Sequence, residues 1–175
     1  MTDRPRFVAD AMLGRLAKSL RMLGYDVVYR RDIEDRDIRL IAVRDGRAIL
    51  TRDRQIAATS LPVEVVLIDC DDPREQLRRL VADRGLATDE GLFTRCLICN
   101  CPVEGVDRND VAGAVPSYVL ATQDRFVRCP NCGRIYWPAT HVARARAWLA
   151  SVLGSGQASG DGDDEAERED GDGVG

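Results

Sequence analysis

The sequence predicts an α/β fold: a parallel sheet with flanking helices, then a small cysteine-rich unit, then an acidic tail. Three observations carry this expectation. The first 85 residues alternate strand-like and helix-like segments, five of the six cysteines lie between positions 96 and 132, and the chain ends in a run dominated by Gly, Asp and Glu. With 175 residues and 45% hydrophobic composition, the chain is long enough for one ordinary core or two small ones.

Taken in order, Arg6-Phe7-Val8-Ala9 reads as a short strand ending at Asp10. Leu13, Leu16, Ala17, Leu20 and Leu23 then follow helical spacing until Gly24 closes the helix. Asp26 to Tyr29 is a second strand, and Asp35 is expected to cap a helix carrying Ile38, Ile41 and Ala42, with Gly46 as its stop. Ala48 to Thr51 and Glu64 to Ile68 are the third and fourth strands. Pro73 opens a helix with Leu77, Leu80 and Val81 on one face, ended by Gly85. Such alternation is what a parallel sheet covered by helices requires. From Leu86 helical periodicity stops, until Thr140 caps a last helix from His141 to Leu153. The tail from Gly154 has too little apolar surface to offset its ordering entropy and reads as disordered.

The net charge of −4 conceals an asymmetry. Gly154 to Gly175 holds eight acids and one Arg, so the body keeps 24 bases against 21 acids, a charge of +3. Lys18 is the only lysine. An arginine-dominated, mildly basic body suits phosphate partners, although a solvated surface accounts for the same charge. No run approaches the roughly 18 apolar residues of a membrane helix. The N-terminus carries no signal-like apolar run, so a reducing, cytoplasmic setting is expected.

Cys96-Leu97-Ile98-Cys99 and Cys129-Pro130-Asn131-Cys132 are two Cys-x-x-Cys knuckles, 29 residues apart. Each presents two thiolates from one tight turn, and together they complete a tetrahedral Cys₄ site for structural Zn²⁺. An iron–sulfur cluster, a redox dithiol and unliganded core cysteines are the alternatives. Four thiolates close the coordination sphere, so this zinc is expected to hold the fold. Cys101 competes as a ligand but lacks the x-x spacing, Cys70 reads as a small buried hydrophobe, and the lone His141 is read as a helix-start residue.

Asp10 follows the first strand, Asp53 the third, and Asp35 stands where a helix begins. In a parallel sheet these positions share one edge, the usual ligand crevice. Carboxylates gathered there repel unless a hard cation such as Mg²⁺ or Mn²⁺ lies between them, and such an ion activates water for attack on phosphoryl groups. Chance placement of cap residues is the competing explanation. An Asp-x-Asp phosphatase motif is excluded because Met12 stands two residues after Asp10, and no glycine-rich phosphate loop follows any strand.

Phe7-Val8-Ala9-Asp10-Ala11-Met12-Leu13-Gly14-Arg15-Leu16-Ala17, Leu20-Arg21-Met22-Leu23-Gly24-Tyr25-Asp26 and Gly46-Arg47-Ala48-Ile49-Leu50-Thr51-Arg52-Asp53 resemble the Mut-seven carboxy-terminal family. So do Cys96-Leu97-Ile98-Cys99-Asn100 and the segment from Phe126 to Trp137. The resemblance covers roughly residues 6 to 150. It implies a PIN-like ribonuclease with a C-terminal zinc ribbon, cleaving RNA with a divalent metal held by Asp10, Asp35 and Asp53. Asp37 substitutes for Asp35 if the register shifts, and a fourth acid is one of Asp69, Asp71 and Asp72.

The expected organisation is a PIN-like nuclease domain over residues 1–86, a zinc ribbon with its helix over 87–153, and a disordered acidic tail over 154–175. The expected activity is metal-dependent endoribonuclease cleavage of RNA, with Arg15, Lys18, Arg21 and Arg52 touching the RNA backbone and the ribbon aiding binding. The rival reading is an inactive adaptor on RNA or ribosomal particles. Loss of zinc is expected to unfold the second half and leave the acidic site intact.

Overall fold

The computed structural model describes residues 4–89, 91–137 and 140–154. Strands β1 (Phe7–Ala9), β2 (Val27–Val28), β3 (Ala48–Thr51) and β4 (Val65–Leu67) form one parallel sheet in the order β2-β1-β3-β4. Parallel neighbours need crossover connections. Helices α1 (Gly14–Met22), α2 (Asp35–Asp45) and α3 (Arg54–Ala57) lie in those crossovers, and α4 (Pro73–Arg84) follows β4.

Both faces of the sheet are covered, which is why its strands read as continuous apolar runs. On one face Phe7, Ala9 and Leu50 pack with Leu13, Leu16 and Leu20 around α1 and with Leu77 and Leu80 of α4. On the other, Val8 and Ile49 meet Ile38 and Ala42 of α2 and Ile56 of α3. Truncating any of the fully buried leucines to Ala costs about 2–5 kcal/mol.

Local signals terminate the helices largely as the sequence predicts. Gly46 ends α2 at φ +60°, and Asp72 caps α4 ahead of Pro73. Gly24, at φ +88°, has a second constraint: a Cβ there would stand 2.2 Å from the carbonyl oxygen of Gly91. Two details differ. A 3-10 turn, Ala11–Leu13, precedes α1 because the Asp10 side chain accepts the Met12 N–H. The N-cap of α2 is Glu34, with no side-chain bond, so the expected cap Asp35 is instead the first helical residue, where its charge complements the helix dipole.

The second half contains more structure than its periodicity suggests. Strands β5 (Glu104–Val106), β6 (Phe126–Arg128) and β7 (Ile135–Tyr136) form an antiparallel sheet, with the short helix α5 (Ser117–Thr122) between the first two. Val111, Val115, Val119 and Phe126 make its small core. Helix α6 (Thr140–Gly154) returns to the first half, where Leu149 and Val152 join Leu77 and Leu80 in the main core. Among the described residues no helix is long and apolar enough to cross a membrane. The expectation of disorder for the tail falls, beyond Gly154, outside the described residues, as does the side chain of His141.

Candidate acidic site and metal centre

Asp10 is 6% exposed at the end of β1. Its Oδ1 accepts the Met12 N–H at 2.8 Å, and its Oδ2 accepts the Thr51 hydroxyl at 2.8 Å and the Arg52 N–H at 2.6 Å. The same Thr51 oxygen accepts the Asp53 N–H at 2.9 Å, and Asp53 in turn caps α3 through the Gln55 N–H at 2.6 Å. Thr51 therefore ties the two acids together across adjacent parallel strands. Sequence reasoning passed over it, and the available signal was a small hydroxyl residue closing β3 just before the acid.

Asp35 stands exposed at the start of α2, on the edge to which the strand ends point. Asp37 pairs with Arg30 at 3.3 Å. Among the three acids after β4, Asp69 lies 3.9 Å from Arg79, Asp72 caps α4, and Asp71 forms a close ion pair with Arg52. Among the described residues these carboxylates do not converge as the cysteines do. A cavity of about 310 Å³ lies elsewhere, between β4 and α4, and includes Cys70 and Arg79 in its wall but none of Asp10, Asp35 and Asp53. Cys70 is only half-buried there, short of the burial expected of it, and desolvation pushes its thiol up.

Of the four cations expected on RNA, Arg15 and Lys18 are exposed on α1 and Arg52 is half-buried beside Asp53. Arg21 departs from the expectation. It is 5% exposed, and its guanidinium donates to the carbonyls of Val27, Leu97 and Ile98 at 2.8–3.0 Å. Helical phase explains the correction: Arg21 neighbours the buried face of Leu16, Ala17 and Leu20 and points at protein. Burial lowers its pKa from the usual value, opposed by the nearby Cys96, Cys99 and Asp26.

The Sγ atoms of Cys96, Cys99, Cys129 and Cys132 all lie within 4.8 Å of one another. A tetrahedral ion with Zn–S bonds of about 2.3 Å separates its sulfurs by about 3.8 Å, and the Cys96 and Cys132 sulfurs stand at 3.8 Å. The surroundings of Cys96 suit a thiolate. Burial would push Cys96 up, but the Cys99 N–H, the Tyr136 hydroxyl and the Ile98 N–H pull it down to about 6. The donor set fits zinc. Cys101 lies outside it, with its thiol donating to the Cys99 carbonyl at 3.7 Å.

The description of the Mut7-C RNAse domain matches residues 5–149. The chain belongs to the Mut7-C RNAse domain family. The matched span includes Asp10, Asp35, Asp53 and all four clustered cysteines, and it stops before the acidic tail. The chain is also 33% identical over 102 residues to the Homo sapiens protein named exonuclease mut-7 homolog. That stretch is 55% of this chain and 12% of the human protein. No solved structure matches the chain. Membership of the Mut7-C RNAse domain family supports a nuclease-like function.

Proposed function

We propose that this Mut7-C chain is a PIN-like, divalent-metal-dependent endoribonuclease in a reducing, cytoplasmic setting, with residues 87–153 as a structural zinc ribbon that aids RNA binding. The observation that carries this reading is that Thr51 links the Asp10 carboxylate to the Asp53 backbone at the carboxyl edge of β1 and β3. Ligand sites of open parallel sheets lie at that edge.

Asp10 and Asp53, with Asp35, are the oxygen donors that would hold Mg²⁺ or Mn²⁺. Their oxygen chemistry suits such a hard cation, which takes few carboxylates and keeps several waters, but their ligand atoms stand too far apart to form a closed cluster. When bound, the ion activates water and offsets charge on the phosphate. The chain's own part is to position. Backbone N–H groups and the Thr51 hydroxyl hold Asp10 in one rotamer, so the acid is set before substrate arrives. Arg15, Lys18 and Arg52 attract the RNA backbone, a salt-dependent contribution.

An RNA-binding adaptor is the second reading. One observation favours it: both Asp10 oxygens are already engaged by protein donors. Incubation of labelled linear and circular single-stranded RNA with Mn²⁺, then with EDTA, separates the two. Cleavage of the circle that EDTA abolishes supports the endonuclease. Loss of the linear RNA alone points to exonuclease action, and binding without cleavage points to the adaptor.

A further inference from the structure

The first cysteine knuckle is bonded into the flank of the parallel sheet by the residues within and just after it. Arg21 Nη1 donates to the carbonyls of Leu97 at 3.0 Å and Ile98 at 2.9 Å, the two residues between Cys96 and Cys99. Its Nε and Nη2 donate to the Val27 carbonyl at 3.0 and 2.8 Å. Asn100, held at φ +66°, accepts the Val27 N–H on Oδ1 at 3.0 Å and donates from Nδ2 to Asp26 at 2.6 Å. Val27 belongs to β2, the edge strand, whose other side pairs with β1. The backbone groups that an edge strand leaves open are thus satisfied by the knuckle and by Arg21.

One buried cation is therefore solvated by three carbonyls, and two of them belong to the knuckle. Their positions depend on a turn that brings Cys96 and Cys99 together, and ligand turns of this kind are seldom formed without their metal. If the turn opens, Arg21 keeps one acceptor and stays buried, an unfavourable state for a charge. It relaxes by moving α1, the helix that carries it.

We propose that Arg21 and Asn100 make zinc binding at the first knuckle and the ordering of α1 and β2 a single coupled equilibrium. The state of the cysteine centre then sets the placement of the helix that begins four residues after Asp10. Arg21 is a positioning residue, and the inference stands whether or not the chain cleaves RNA. Coupling is reciprocal, so weakening the Arg21 contacts weakens zinc binding by the same factor.

The test uses full-length, zinc-loaded protein with two readouts independent of nuclease activity. Chelator competition should show zinc affinity about 10–100-fold lower in Arg21→Met, the range found when groups supporting metal ligands are removed. Asn100→Gly, which keeps the left-handed backbone and deletes the side chain, should lower it in the same direction, while the exposed Arg74→Met should leave it unchanged. In the unmutated protein, hydrogen exchange after zinc removal should speed up in α1 and β2 together with the knuckle, and not in β4. Wild-type zinc affinity in both variants overturns the proposal. So does unchanged protection of α1 and β2 without zinc, or equal loss through β4. If Arg21→Met fails to fold, Asn100→Gly and the exchange measurement decide.

Discussion

The Thr51 hydroxyl donates to Asp10 Oδ2 at 2.8 Å while its oxygen accepts the Asp53 N–H at 2.9 Å. Thr51 is fully buried, so without these bonds the Asp53 N–H loses this partner and Asp10 Oδ2 keeps only the Arg52 N–H. Thr51→Val keeps the shape and removes both bonds. It should cost about 1–3 kcal/mol, the usual penalty for stranding buried polar groups, and should reduce RNA cleavage. Thr51→Ser should restore most of both, as read by urea denaturation and by cleavage rate.

Asp10→Asn and Asp53→Asn should each abolish cleavage with little loss of RNA affinity, because binding rests on cations. Their stabilities should differ. Asp10 accepts three bonds on two oxygens, so an amide NH₂ must face a donor, at about 1–3 kcal/mol. Asp53 can keep its one cap bond on the remaining carbonyl oxygen. Equal destabilisation of the two variants, or wild-type cleavage at limiting Mn²⁺ in either, contradicts this account.

Acid sensitivity should centre on Asp26. Burial would raise its pKa, but bonds from Arg47 at 2.7 Å and Asn100 at 2.6 Å hold it below the ordinary carboxylate value. A depressed folded-state pKa contributes stability above the unfolded value of about 3.9, lost as pH falls through the folded value. Asp26→Asn should therefore be less stable at pH 7 and show a shallower loss of stability below about pH 4. Parallel profiles for the two proteins would remove Asp26 from this role.

Metal analysis should find about one zinc per chain. Cys129→Ser should lose that zinc and the antiparallel sheet of β5, β6 and β7. Cys101→Ser should keep both, since its thiol reaches a carbonyl and not the cluster. Zinc retained in Cys129→Ser but lost in Cys101→Ser would reassign the ligands.

Deleting residues 155–175 removes a charge of −7 and leaves a cationic body. RNA affinity should rise at low ionic strength, and the gain should fade as the Debye length shrinks to about 8 Å near physiological salt. Salt-titrated binding of full-length and shortened protein checks it. Equal affinity at the lowest salt would leave the tail no part in RNA access.

By itself the sequence determined those features whose cause is local. The leucine spacing of α1, Gly46 after α2, Asp72 and Pro73 before α4, and the Cys-x-x-Cys turns are legible because a helix period, a left-handed cap or a two-ligand knuckle is written within a few residues. The parallel sheet follows because its helices and strands alternate. Helix α3, strands β5 to β7 and helix α5 escaped because they are short and half-exposed, with little periodicity to read. Tertiary structure decided the rest. Helical phase sets Arg21 beside the buried face of α1 and Arg15 away from it, but only the fold shows that the carbonyls of the knuckle receive Arg21. Thr51 became the link between two acids only when β3 was laid beside β1, and Leu149 joined Leu77 only when α6 folded back. Burial and hydrogen bonding between distant residues depend on which surfaces meet in space, and no local pattern in the chain records that.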